Sequence, residues 1–141
     1  MANFNSNLIA TSTPAKAGIY PSVALGQVAI PAATTFALND TIPLCNLGAN
    51  TYIASVAIDL PILGTTLTLT LRDTQGTPVN YVTASNKGQA GGILTLADFN
   101  VRGSLGTVYN APSVLQLVAA AAGGSAVGPV TIFFEVMLAS L

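Results

Sequence analysis

The chain has 141 residues, of which four are basic, five acidic and none histidine; it is 6% charged and 51% hydrophobic, with a net charge of −1. Ordinary soluble domains are about 25% charged, and charge is what keeps a free protein soluble and solitary. The scarcity excludes a basic nucleic-acid footprint, because Lys16, Arg72, Lys87 and Arg102 are scattered along the chain. It also removes the imidazoles that acid–base and metal chemistry draw on. The composition points to a structural or assembly component that works covered by other protein.

The length fits one domain. Residues 1–20 form a separate arm rich in Asn, Ser, Thr, Pro and Ala, followed by a domain over residues 21–141. Phe4, Leu8, Ile9 and Tyr20 are spaced apolar anchors in the arm, as expected of an extended clasp laid on a neighbouring subunit. The first seven residues lack the basic start of a secretory leader.

The rest reads as strands. Ser22–Ile30, residues 34–38 and Thr41–Leu47 are the first candidates, and Cys45, within Ile42-Pro43-Leu44-Cys45, reads as a small buried hydrophobe. Residues 52–60 alternate, with Tyr52, Ala54, Val56, Ile58 and Leu60 on one face and Asp59 on the other. In residues 66–72 Leu67, Leu69 and Leu71 share a face and Thr66, Thr68 and Thr70 the opposite one, the period of a half-buried strand. Residues 78–83 and 92–98 and Ser113–Ala121 are weaker candidates, and a single turn can start near Asp98. The last strand sets Val130, Ile132, Phe134, Val136 and Leu138 on one face. Its alternates, Thr131, Phe133, Glu135, Met137 and Ala139, are largely apolar too, so both sides of this strand are expected to be covered.

Turn signals separate the strands at Gly48-Ala49-Asn50, Leu63-Gly64-Thr65, Asp73-Thr74-Gln75-Gly76, Asn86-Lys87-Gly88 and Ala122-Gly123-Gly124-Ser125. About eight short strands at even spacing predict an all-β antiparallel sandwich with the extended N-terminal arm attached, which the resemblance described below would make jelly-roll-like. Residues 103–134 carry no charge, but Asn110, Pro112, Gln116, Gly123, Gly124 and Pro129 interrupt them. No apolar run reaches the 20 or so residues of a spanning helix, so no membrane partner is expected.

Motifs for chemistry are missing. There is no phosphate loop, no dinucleotide fingerprint and no nucleophile elbow. One cysteine and no histidine leave no zinc set, so no catalytic residue, metal or cofactor is expected. Asp73 and Asp40 stand where a side chain bonds its own turn. Arg72 with Asp73, and Arg102 with Asp98, are candidate local pairs. Asp59 and Glu135 lie in strongly apolar strands, either on a solvated face or meeting a basic residue of this chain or a partner. Arg72 and Arg102 are the leading candidates for that role, because arginine suits interface ion pairs. Together with Phe4, Leu8, Ile9 and Tyr20 they make the candidate set of contacts with a partner or with further copies of the chain, a partner that the resemblance below would make the capsid.

In style the chain resembles the decoration, or cement, proteins of tailed-bacteriophage heads, of the jelly-roll type of short-tailed phages. The features that carry this are the arm from Ala2 to Pro21, the strands Tyr52-Ile53-Ala54-Ser55-Val56 and Thr66-Leu67-Thr68-Leu69-Thr70-Leu71, the Ala/Gly-rich stretch from Val118 to Gly128, and the strand from Val130 to Leu138. The resemblance implies a sandwich on the capsid exterior that is made in the host cytoplasm. It would bridge major capsid proteins and associate with itself, as a dimer in preference to a trimer. Another self-assembling virion or fibre subunit (coat, head fibre, pilus) and a carbohydrate-binding sandwich are the alternative readings.

Overall fold

A computed structural model describes Phe4 and residues 22–48, 51–74, 78–100 and 113–140. Eight strands run through these residues: β1 Ser22–Ile30, β2 Thr41–Leu47, β3 Thr51–Leu60, β4 Thr68–Arg72, β5 Asn80–Ser85, β6 Gly92–Thr95, β7 Ser113–Ala121 and β8 Val130–Ser140. A four-residue helix, α1 (Lys87–Ala90), and a 3-10 turn (Leu96–Asp98) flank β6. The strands form two antiparallel sheets of order β1-β8-β3-β6 and β2-β7-β4-β5.

The order has a simple origin. β1 pairs with β8, β2 with β7, β3 with β6 and β4 with β5, so the chain is one long hairpin rolled into a sandwich. The lateral pairs β3–β8 and β4–β7 then complete the two sheets. The antiparallel sandwich read from the strand spacing is thus found, with the double-sheet jelly-roll order that the resemblance implied. None of the four edge strands, β1, β6, β2 and β5, contains a charged residue.

The core lies where the alternation places it. Leu67, Leu69, Leu71, Ile58 and Ile132 are fully buried, with Val56 at 3% and Phe134 at 4% exposure. Burial of each such side chain is worth about 1.5–3 kcal/mol. Cys45 is buried as a free thiol.

The structure corrects the sequence reading at three places. In β3 the pairing with β8 slips between Ile53 and Ser55, so that Ala54 is an extra residue. This bulge turns Ile53 into the core at 1% exposure and leaves Tyr52 half-buried, opposite to strict alternation. Residues 34–38 are not a strand: they make a single bridge from Thr34 to Val127, between left-handed turns at Ala33 (φ 58°) and Asn39 (φ 71°). Phe36 still reaches the core from this loop. The Asn86-Lys87-Gly88 turn winds into α1, whose Gly88 sits within 3.4 Å of Leu69 for an added Cβ, a fit that a larger residue would crowd.

The loop after β3 crosses the loop after β7 at two glycines. Thr66 donates its backbone N–H to Gly123 O at 3.2 Å, Thr66 Oγ1 donates to Ala122 O, and Gly123 N–H reaches Phe36 O at 2.8 Å. A Cβ on Gly64 would lie 2.6 Å from Gly123 O and 2.7 Å from its Cα, backbone atoms that cannot step aside alone. Gly64→Ala is therefore expected to cost about 1–3 kcal/mol in denaturant unfolding. Gly92→Ala, whose Cβ would meet only the Lys87 side chain at 3.5 Å, is expected to be neutral or slightly stabilising, by roughly 0.5 kcal/mol.

Candidate functional site

The outer face of the β1-β8-β3-β6 sheet is open. Paired positions run straight across it. Gln27, Phe133, Asp59 and Ile93 make one row; Leu25, Glu135, Ala57 and Thr95 make the next; Val23, Met137 and Ser55 make a third. Val23 is 50% exposed, Leu25 63%, Ile93 52% and Phe133 54%. The expectation that both sides of β8 are covered does not hold among the described residues, which supply a layer on the inner side alone. The other sheet behaves differently: Thr70 and Val118, paired on its outer side, are themselves buried.

Two carboxylates are set into the open face. Glu135 stands between Leu25 and Ala57, and Asp59 between Phe133 and Ile93. Both are exposed. Because Glu135 faces Ala57, Asp59 is its diagonal neighbour across the strand pair, at about 7–8 Å. No described cation lies on this face.

Arg72 does not meet them. It ends β4 in the opposite sheet, paired with Gln116 and Asn80 and alternating with the inward Leu69 and Leu71. Two sheet layers, about 10 Å apart, separate its face from Asp59 and Glu135. Pairing of these groups inside one chain is thus excluded by topology. Arg72 is half-buried, and its Nε is buried with no hydrogen-bond partner. Phe4 is seated on its own chain: its N–H donates to Thr41 O at 3.0 Å and its ring packs on Phe36 at 5.2 Å. Leu8, Ile9, Tyr20 and Arg102 lie outside the described residues.

The remaining polar groups hold turns. Asp73 is fully buried, where Oδ1 accepts from Val79 N–H at 3.1 Å and Oδ2 from Tyr81 Oη at 3.0 Å. It points inward while Arg72 points outward, so the two do not pair. The Tyr81 ring stacks on Phe99 at 5.3 Å. Asp40 accepts from Ala37 N–H at 2.9 Å, the turn role read from the sequence. The candidate pair of Asp98 with Arg102 falls on a residue outside the described ones; among those described, Asp98 meets Lys87 at 2.8 Å. Lys87 also donates to Ile93 O, and Asp98 accepts the Thr95 N–H in a capping box. α1 sets this up by carrying Lys87 over the end of β6, which a plain turn would not have done. Among the described residues no three acids or cysteines stand together to hold a metal, and no helix is long and apolar enough to cross a membrane.

The sequence matches no family model and no curated protein. Solved structures do match. A chain of the capsid of Ralstonia phage GP4 superposes over 99% of this chain and 99% of its own length, with a TM-score of 0.75 and 19% identity. A chain of the cyanophage Pam1 capsid asymmetric unit superposes over 84% of this chain and 81% of its own, with a TM-score of 0.55 and 22% identity. The likeness shows a shared fold.

Two polar features have measurable consequences. Burial pushes the Cys45 thiol up to about 12, so it stays protonated and shielded. A thiol reagent at pH 8 is expected to leave Cys45 unmodified in the native protein and to label it stoichiometrically after denaturation. At Asp98 partial burial raises the pKa, but the Lys87 hydrogen bond, the Thr95 N–H and the Lys87 charge outweigh it and hold the carboxyl below its usual range. The pair's contribution is therefore present above about pH 4 and is lost as pH falls below that. With both side chains partly exposed it amounts to about 0–1 kcal/mol. Asp98→Asn should lower stability by that much at pH 7, with the gap to wild type narrowing as the pH is taken progressively below about 4 in parallel urea titrations.

Proposed function

We propose that this chain is a structural component of a phage virion, a decoration protein that binds the outside of the capsid and bridges major capsid proteins. The observation that carries the reading is the superposition along the whole chain on a chain of the GP4 capsid. The near-absence of charge supports it, since a surface so poor in ionisable groups suits permanent cover by protein. Asp40, Asp73, Lys87 and Asp98 are engaged in turns, a helix and a cap, and among the described residues no nucleophile stands with a base, which favours a mechanical role.

The work done would be one of linkage. A protein that binds the assembled shell and not its separated parts stabilises the shell by mass action. Repetition over an icosahedral lattice multiplies a modest contact into a large total. The sparse charge on this chain keeps long-range repulsion among many identical neighbours small.

The test is co-sedimentation of the purified protein with cognate capsid shells prepared without it. Saturable binding, and shells that resist heat better with the protein than without it, are the expected results. Failure to bind shells overturns the reading. Spontaneous growth of the purified chain into large particles, read by light scattering, would instead mark a coat or fibre subunit.

A further inference from the structure

We infer that the outer face of the β1-β8-β3-β6 sheet is the surface that docks on the shell, and that its occupant is an apolar patch of capsid protein presenting one basic side chain to Asp59 and Glu135. This rests on the virion reading above and adds to it the face and the chemistry of the partner.

The apolar part comes from Val23, Leu25, Ile93 and Phe133, each at least half exposed. Val23, Leu25 and Phe133 neighbour one another on β1 and β8, and Ile93 is set apart from them by Asp59; the exposed hydrophobic area is on the order of a few hundred Å², the range in which patches on soluble chains serve as binding surfaces. Four strands at about 4.8 Å spacing and some six residues at about 3.3 Å make a face roughly 20 Å on a side. That is a footprint at the small end for a specific interface, so its polar contacts weigh heavily.

The acidic part sets the partner's charge. Docking any flat apolar surface here strips water from Asp59 and Glu135, and two unpaired carboxylates under an interface oppose binding. The diagonal spacing of the two lets one guanidinium or ammonium lie between them. The described part of this chain supplies no such group on the face: Lys87 is held by Asp98 and Ile93 O, and Arg72 lies on the opposite sheet. Lys16 and Arg102 lie outside the described residues, and the cation is assigned to the partner.

A second copy fits less well. Laying the face on itself about a two-fold axis brings carboxylates towards carboxylates. Laying it on the Arg72 side of another copy meets a surface where Thr70, Val118 and the Arg72 Nε are already buried.

The experiment measures binding to cognate shells prepared without this chain, for the wild type and three variants that alter exposed side chains. Asp59→Asn with Glu135→Gln is expected to weaken binding about tenfold and to flatten its salt dependence, and Glu135→Lys to weaken it about a hundredfold. Phe133→Ala should weaken it roughly tenfold. Asn80→Glu, which adds a charge on the opposite sheet, should bind as wild type. Melting temperatures confirm that all are folded. If the wild type binds and the three face variants bind equally well, the face is wrong while the virion reading stands. If the wild type does not bind at all, the virion reading falls and takes the docking partner with it. If light scattering shows a wild-type oligomer that Glu135→Lys dissociates, the occupant is a second copy and the inference is overturned.

Discussion

Strand β8 gives one side to the core and the other to solvent, and its register with β1 and β3 depends on that difference. Ile132, Phe134, Val136 and Leu138 are buried, while Phe133 and Glu135 between them are exposed. A slip of one residue would carry Glu135 inside and strip the core of its aliphatic row. The charge of Glu135 and the bulk of the inward row therefore enforce one pairing, and that pairing aligns the rows of side chains across the whole sheet. The bulge at Ala54 adjusts β3 to the same partner, so that Val56 and Ile58 stay inward beyond it. The open face is a by-product of how the core is kept in place.

The distribution of charge follows from the same architecture. Within the strands, the charged residues are Asp59, Arg72 and Glu135, on β3, β4 and β8, none of them an edge. Sheet proteins commonly place charge on edge strands to prevent pairing with other chains. Here the edges are left neutral, and two of the three strand charges lie in the middle of an exposed face. The opposite sheet, whose outer residues Thr70 and Val118 are buried, presents no equivalent surface. The sandwich thus has two unlike sides, as the proposed attachment to a shell by one of them requires.

Much of this was legible in the chain. TLTLT with its leucines at every second place specified β4 and its inward face, and Ser113–Ala121 could be bounded by turn residues alone. The role of Asp40 was readable because an acid just before a strand has its own turn within reach. Local pattern failed where a distant partner intervened. The bulge in β3 exists only against β8, so alternation placed Tyr52 inward where Ile53 went. The Lys87 partner of Asp98 was not legible because α1 brings Lys87 across eleven residues to reach it, a distance in sequence that says nothing about distance in space.

The amino-acid sequence by itself determined the class of molecule: a nearly chargeless sandwich of about eight strands, with its main core leucines, isoleucines and phenylalanine. Those are consequences of composition and of period-two alternation, which act between near neighbours. Tertiary structure alone decided which alternate face stays open and which charges can meet. The apolar alternates of β8 look fit for burial in the sequence, but a sandwich has two layers and each sheet has one inner side. Whether a strand's second face is covered depends on what is laid over it, and the described residues leave Phe133, Leu25 and Ile93 more than half exposed.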